Sequence, residues 1–492
     1  MKKYILYGLM LIAFVECNGQ GYNYQWLIGY WPPTFQSGRM IFDTSGYSYN
    51  TEIRKMGFVG TQGNICDANG NFLMSSNGVW IANANNDTML NGAGLNPGSH
   101  VNSYPNGLLL PNANVFLPFP GDSAKYILFH HSAANNGLYE TVYELLYSII
   151  DITQDNGLGG VVSKNQIAFS DTLNWGLAVC KQANGRDWWI AMQKDSTDEI
   201  YQLLLTPNGV VNFGSQHLFV PPSWANVTQL TFSQDGTKLG YTAYNENNID
   251  SCYAFIADFD RCSGLFSNTR IFNFYPSSYF WGFAFSANSK FAFANTSTNI
   301  FQLNIDSMTI DTVAVYDGFS FPIPAAATTF MHEYLAANGK IYLTTGGSAQ
   351  HIHEINYPDS TGLACDVQQH TIFLNVWNFR SVPNHPNYNL GPAAGSVCDT
   401  LTSLSEIKHD FKFSLSPNPT SDGYIKLVYL LPQNKSGVFE VYNITGHLIY
   451  QMNLTPWSTL QFIKLPELSN GVYTCVIKSG YDRVGKKLVL MK

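Results

Sequence analysis

The sequence predicts an all-β fold with a β-propeller at its centre, six or seven blades in all and seven preferred. Three observations point there. Charge is scarce while aromatic residues and glycine are plentiful. A turn-and-strand unit recurs at intervals of 53, 63, 51, 53 and 50 residues. The strands beside those turns alternate apolar with polar or small residues, as in Lys340-Ile-Tyr-Leu-Thr.

At 492 residues the chain is long enough to bury several cores. It is 12% charged and 14% aromatic, with 41 glycines. That balance suits strands joined by tight turns and does not suit a disordered chain. The net charge is −8, and no Lys/Arg block occurs beyond Lys2-Lys3 and Lys486-Lys487. Nucleic acid is therefore not an expected partner, because phosphate binding needs a basic footprint.

The repeat opens at Asp67-Ala-Asn-Gly-Asn and returns at Pro120-Gly-Asp-Ser, Ala183-Asn-Gly-Arg-Asp, Gln234-Asp-Gly-Thr, Ala287-Asn-Ser-Lys and Ala337-Asn-Gly-Lys. Asn-Gly and Asp-Gly pairs accept the positive φ angles of a tight hairpin. A third strand follows the hairpin in several units: Glu199-Ile-Tyr-Gln-Leu, Asn299-Ile-Phe-Gln-Leu and His351-Ile-His-Glu-Ile. A sheet of four short strands cannot bury both faces alone, and stacking such sheets in a closed ring does so. Six units are visible. The stretches 24–51 and 388–399 hold further strand-like runs that complete a seventh blade or close the sixth. The fifth turn has no glycine, so its blade is the least marked.

The N-terminus has the form of a secretory signal over residues 1–19. Lys2-Lys3 precedes a short apolar run from Tyr4 to Val15, too short to span a bilayer. Cys17 raises the alternative of a lipoprotein, against which Glu16 stands where a small residue is wanted. No later apolar stretch is long enough for a transmembrane helix.

Residues 411–492 carry ordered motifs: Phe413-Ser-Leu-Ser-Pro-Asn-Pro-Thr-Ser, Phe439-Glu-Val-Tyr-Asn-Ile-Thr-Gly, Leu465-Pro-Glu-Leu-Ser-Asn-Gly-Val-Tyr and Lys486-Lys-Leu-Val-Leu-Met-Lys492. This segment resembles the type A C-terminal sorting domain read by the type IX secretion system of Bacteroidota. The resemblance implies a small immunoglobulin-like β-sandwich and the type IX machinery as a partner. It also implies passage through Sec to the periplasm and then to the cell surface or medium. Phe232-Ser-Gln-Asp-Gly and Phe285-Ser-Ala-Asn-Ser-Lys are similar to the hairpins of WD-repeat-like and TolB-type propellers. Asp67-Ala-Asn-Gly-Asn, Asn91-Gly, Ala183-Asn-Gly-Arg-Asp, Phe259-Asp-Arg-Cys and Asn384-His-Pro-Asn-Tyr-Asn-Leu-Gly-Pro together resemble secreted propellers that often precede such a sorting domain. The expected order is signal peptide 1–19, propeller 20–400, linker 401–410 and sorting domain 411–492.

An exported chain permits disulfides. Cys365 and Cys398, both in loop-like sequence, are the expected pair. Cys252 and Cys262 are not, since the strand between them would hold them far beyond the roughly 7 Å limit for Cα atoms.

No motif asks for a cofactor or a metal. His332-Glu333 begins like a zinc-protease helix, but position 336 is alanine. His351 and His353 share a strand face, and two ligands without a third do not make a site. His130-His131 read as structural. Ser233-Gln-Asp-Gly-Thr falls one residue short of a sialidase Asp box, and residues 151–157 lack the oxygen spacing of a calcium loop. Arg186, Trp188 and Trp189 are the binding candidates, because Arg and Trp concentrate at recognition sites. The alternative for the tryptophans is packing between blades. Asp-(Ser/Thr) followed by Ala, Ile, Leu, Val, Met or Thr resembles the O-glycosylation sequon of Bacteroidota. Such tripeptides mark Thr88, Ser123, Thr172, Ser196, Ser307, Thr312, Ser360 and Thr400.

The expected role is an exported binding or interaction module for glycan or an envelope protein. The rivals are a hydrolase or lyase at the propeller mouth, and a scaffold in adhesion or gliding machinery.

Overall fold

The structure is a computed structural model. It describes residues 21–30, 36–43, 46–135, 140–218, 229–245, 248–274, 280–323, 326–380, 382–399, 413–431, 435–443, 446–455, 459–479 and 482–491. The expected signal peptide, the linker and Thr400 lie outside the described residues. The chain divides into two compact units, Met1–Asp399 and Thr400–Lys492.

Seven blades build the first unit among the described residues, and blades 2, 3 and 4 are hydrogen-bonded into one 11-stranded sheet. Blade 1 is three-stranded: Gln25–Ile28, Gln36–Phe42 and Tyr47–Ile53. Blade 2 holds Gly63–Cys66, Phe72–Ser76, Trp80–Ala82 and Thr88–Ala93. Blade 3 runs Asn114–Pro118, Lys125–Asn135, Glu140–Asp151 and then the first half of the long strand Gly160–Lys181. The second half of that strand opens blade 4, followed by Trp188–Lys194, Glu199–Thr206 and Gly209–His217. Blade 5 is Thr231–Phe232, Lys238–Asn245, Asn248–Phe259 and Phe266–Phe274. Blade 6 is Phe280–Phe285, Phe291–Thr296, Asn299–Asn304 and Thr309–Val315. Blade 7 is Phe330–Leu335, Ile341–Thr345, Ala349–Ile355 and Val367–Asn378. The 63-residue interval found in the sequence is the length of blade 3, whose second and third strands run to 11 and 12 residues.

The cores lie between sheets and close a ring. Leu27 and Ala82 join blades 1 and 2. Ile65, Leu128 and Ile190 belong to one cluster that spans blades 2, 3 and 4. Trp189 with Tyr241 joins 4 and 5, Ile256 with Phe283 joins 5 and 6, and Phe293 with Leu343 joins 6 and 7. Trp26 and Tyr342 pack blade 7 back onto blade 1. Each sheet has an apolar face toward both neighbours, so only a closed ring buries them all. The propeller has seven blades.

All six sequence hairpins link the first and second strands of their blades. The turn chemistry differs in detail from two positive-φ residues. In the last four hairpins the Asx side chain bends the backbone, and only the residue after it is left-handed. Asp235 Oδ1 accepts from Thr237 N at 2.9 Å while Gly236 sits at φ 70°. Asn184 Oδ1 accepts from Arg186 N at 2.9 Å beside Gly185 at φ 71°. In the fifth turn Ser289 takes φ 59° in place of glycine, with Asn288 Oδ1 accepting from Lys290 N at 3.0 Å. The side-chain acceptor stabilises the turn, so a non-glycine residue is tolerated there.

The stretch 388–399 adds no strand to any blade. Blade 1 is instead made wholly from N-terminal sequence, and the C-terminal stretch of this unit goes to the channel.

The second unit is a β-sandwich. One sheet holds Phe413–Ser416, Tyr424–Tyr429 and Leu460–Lys464, and the other holds Gly437–Tyr442, Leu448–Leu454, Gly471–Ser479 and Asp482–Leu490. Tyr424–Tyr429 alternates strictly between exposed and buried, and its inward residues Ile425, Leu427 and Tyr429 meet Phe439, Val441 and Leu488 from the other sheet. This is the facing-sheet packing of an immunoglobulin-like sandwich.

Candidate functional site

The first strands of the blades line the propeller axis, and a segment of the same chain threads the space between them. Residues 384–388 hydrogen-bond to four different blades. Asn384 Nδ2 donates to Leu177 O in blade 4 at 2.7 Å. His385 Nε2 donates to Asn64 O in blade 2 at 2.7 Å. Asn387 Nδ2 donates to Gln234 O in the blade 5 hairpin at 2.8 Å. Tyr388 donates its hydroxyl to Phe116 O in blade 3 at 2.7 Å. The segment with the dense Asn, His and Tyr composition is thus a central tie, with each side chain capping a main-chain carbonyl that the axis would otherwise leave unpaired. Burial holds His385 neutral, its pKa lowered to about 4.

Beyond this tie the chain crosses the hairpin ends of blades 4 and 5. Ala393 N donates to Ala183 O at 2.8 Å, and Arg261 Nη2 donates to Gly391 O at 2.6 Å. A disulfide between Cys262 and Cys398, with Cα atoms 5.5 Å apart, fastens the strap. This corrects the expected Cys365–Cys398 pair. Cys365 is a fully buried free thiol in the core between blades 6 and 7, while Cys262 sits in the turn over which the strap passes. Cys66, Cys180 and Cys475 are also free and buried.

A cavity remains beside the tie, walled by residues 178–181, 229–234, 283–285, 333–335, 383–387, Asn112 and Leu390. Gln229 braces it. Its Oε1 accepts from Phe283 N at 3.2 Å and Glu333 N at 2.8 Å, and its Nε2 donates to Glu333 O at 3.0 Å. One side chain thereby fixes blades 5, 6 and 7 at the axis. Tyr334 donates across to Asn112 Oδ1.

Glu333 lines the cavity, and the sequence named it only within the rejected zinc-protease pair His332-Glu333. It is fully buried, and neither carboxylate oxygen has a hydrogen-bond partner among the described residues. Burial alone raises its pKa well above the usual carboxylate range. It lies over Gly282 of blade 6. A Cβ there would collide with Asn295 Oδ1 and come within 2.9 Å of Glu333 Cγ, so glycine makes the room for the acid. The pair His332-Glu333 stands on a strand at the axis, not on a helix. The only sequence signal for Glu333 is an acid inside an apolar strand, Phe330–Leu335.

The raised pKa predicts a pH effect. A carboxyl whose folded pKa exceeds its unfolded one leaves the fold fully stable below the ordinary glutamate pKa. Stability is then lost as pH rises from there to the folded pKa, by about 1.4 kcal/mol per pH unit. Glu333→Gln is expected to flatten that decline. Urea midpoints of the first unit, taken from mildly acidic to mildly alkaline pH, check this. Parallel curves for variant and wild type would refute it.

The residues expected to bind are placed otherwise. Trp188 and Trp189 are each 1% exposed and offer no face to a ligand. Trp188 Nε1 donates to Pro118 O in blade 3 at 3.2 Å, and Trp189 Nε1 donates to Arg261 O in blade 5 at 2.8 Å. Both indoles are interblade joints. Arg186 is exposed at the hairpin tip and forks onto Asp187, at 2.7 and 3.1 Å. His353 is buried with Nδ1 accepting from His370 N at 3.0 Å, while His351 packs against Phe319, Phe321 and Phe373. His130, also buried, bonds Asn96 and Ser148. Thr88, Ser123, Ser307 and Thr312 are exposed, and Thr172, Ser196 and Ser360 are partly exposed.

With this geometry in hand, the likeness to known proteins divides between the two units. Residues 414–491 match the secretion system C-terminal sorting domain. That sorting domain directs the chain to type IX secretion, and so to the cell surface or the medium. No curated protein sequence matches the chain. Among solved structures, one assigned as a 6-phosphogluconolactonase from Bacteroides uniformis is 12% identical, with TM-score 0.41, covering 74% of this chain and 99% of its own. A protein of unknown function from Desulfotomaculum acetoxidans is 11% identical, with TM-score 0.39, covering 74% and 99%. A structure assigned as TolB from Agrobacterium tumefaciens is 11% identical, with TM-score 0.28, covering 66% and 85%. At that distance they bear on neither ligand nor activity.

Proposed function

We propose that the exported propeller is a binding module that takes its ligand at the axial channel, from the end away from the hairpin turns. The supporting observation is the channel's chemistry. The chain's own residues 384–390 occupy its hairpin end, so it is not an open conduit. Glu333 is the one carboxylic acid among the described residues that line the cavity. Glycoside hydrolysis by the usual routes needs two carboxyl groups flanking the bond, and a lone buried acid serves recognition better than turnover. Glycan is the favoured ligand class, since surface delivery puts the channel in contact with polysaccharide.

An array of glycans and polysaccharides, probed with the full exported chain, tests this. Retention of a restricted set, each recovered uncut, is the expected result. Cleavage of a retained glycan would replace the reading with the hydrolase or lyase. Uniform silence across the array would move it to a protein-facing scaffold.

A further inference from the structure

Arg380 stands at the channel end opposite the hairpins. It follows the outer strand of blade 7, Val367–Asn378, and its guanidinium lies 5.6 Å from the ring of Trp281 and 5.0 Å from that of Phe379. Trp281 lies two residues before Phe283 on the first strand of blade 6, away from the hairpin turn that follows Phe285. Tyr30 closes the cluster, its ring 6.1 Å from Phe379 and its hydroxyl donating to Ser348 Oγ at 2.8 Å. Three blades therefore meet around one cation.

That cation lacks an anion, as Arg261 does, but Arg261 donates to the carbonyls of Lys181, Gln182 and Gly391. The described arginines in ion pairs face carboxylates: Arg39 and Arg54 face Glu52, Arg186 faces Asp187, and Arg270 faces Asp258. Arg380 makes no ion pair with any described residue, and its Nε is buried without a hydrogen-bond partner. Burial lowers its pKa, and no charged neighbour offsets that cost. The backbone adds a second cost, since Arg380 holds φ at 55°, a left-handed conformation that side chains with a Cβ rarely adopt. Aromatic rings stabilise a guanidinium on its faces and leave its edge, where the N–H fork points, for a planar oxyanion.

We propose that Arg380 is the recognition point for the carboxylate of a small acidic ligand, such as a sugar acid, at the mouth of the channel. This rests on the channel reading for its place alone. The bound carboxylate would accept the fork's two parallel N–H bonds, while Trp281 and Phe379 keep water off the guanidinium faces.

The test is titration of the full exported chain with D-glucuronate, D-glucose and inorganic sulfate, read by calorimetry and by tryptophan fluorescence. Glucuronate is expected to bind and perturb the fluorescence, and glucose is not. Arg380→Gln should weaken glucuronate about tenfold or more, the loss of a charge-assisted fork. Arg380→Lys keeps the charge without the fork and should fall between. The lysine variant decides if the glutamine variant does not fold. Sulfate binding as tightly as glucuronate, and lost in the same variants, would support the oxyanion site and show that the sugar ring adds nothing. Equal binding of glucose and glucuronate, no binding of either, or glucuronate binding indifferent to Arg380 would overturn the inference. Retention of neutral glycans on the array together with that indifference would leave the channel reading standing.

Discussion

Tyr388→Ala should destabilise the propeller by about 3–5 kcal/mol, the range for removing a large aromatic side chain from a packed core. Tyr388 is 2% exposed and belongs to the core that runs through blades 2, 3 and 4. Its ring packs 5.4 Å from Tyr22 and 5.9 Å from Trp188, both centroid distances. Its hydroxyl closes the hydrogen bond to Phe116 O. The substitution removes both the packing and one of the four polar ties that residues 384–388 make to separate blades. A domain is stable by only about 5–15 kcal/mol, so about a fifth or more of the total is at stake. Tyr388→Phe separates the two contributions. It keeps the ring, loses one hydrogen bond, and should cost about 1 kcal/mol. Urea unfolding followed by separate signals for the two units checks this, because the sandwich has its own core and its midpoint should not move. A Tyr388→Ala protein with an unchanged propeller midpoint would show that the axial segment is a passenger on the ring.

How much of this was legible in the chain follows from range. The six hairpins were visible because an Asx residue and a left-handed neighbour act within five residues. The Gly-to-Ser change in the fifth turn hid nothing, since Asn288 supplies the bend. The seventh sheet was only suggested, because Ile28 is followed by Gly29-Tyr30-Trp31-Pro32-Pro33, without an Asx-Gly pair. The site was hidden for a different reason. Glu333, Gly282, Gln229 and Asn384 are brought together only when the ring closes, and no local pattern distinguishes them. The same holds for the disulfide, whose cysteines are 136 residues apart. Trp188 and Trp189 drew notice by residue type, yet alternation on a strand flanked by two neighbouring blades sends one indole to each. Arg380, the cation without an acid, had no sequence signal at all.

Removing residues 411–492 is expected to abolish delivery to the surface and leave a folded propeller in the periplasm. The two halves of that outcome have separate causes. Export should fail because residues 414–491 are the sorting domain that the secretion machinery reads. The propeller should survive because the core clusters of its seven blades contain no residue beyond Leu390. Its last covalent tie, Cys262–Cys398, also falls before the cut. The sandwich core, from Phe413 to Leu490, is likewise made of its own residues alone. Fractionation with protease shaving of intact cells reads the location, and the urea midpoint of the truncated chain reads the fold. Surface display of the truncated protein would refute the address. Periplasmic aggregation in place of a folded species would instead show that the propeller depends on its C-terminal partner. A periplasmic, soluble propeller with the full-length midpoint would leave the two units as separate devices on one chain, one that sets where the protein goes and one that carries the channel.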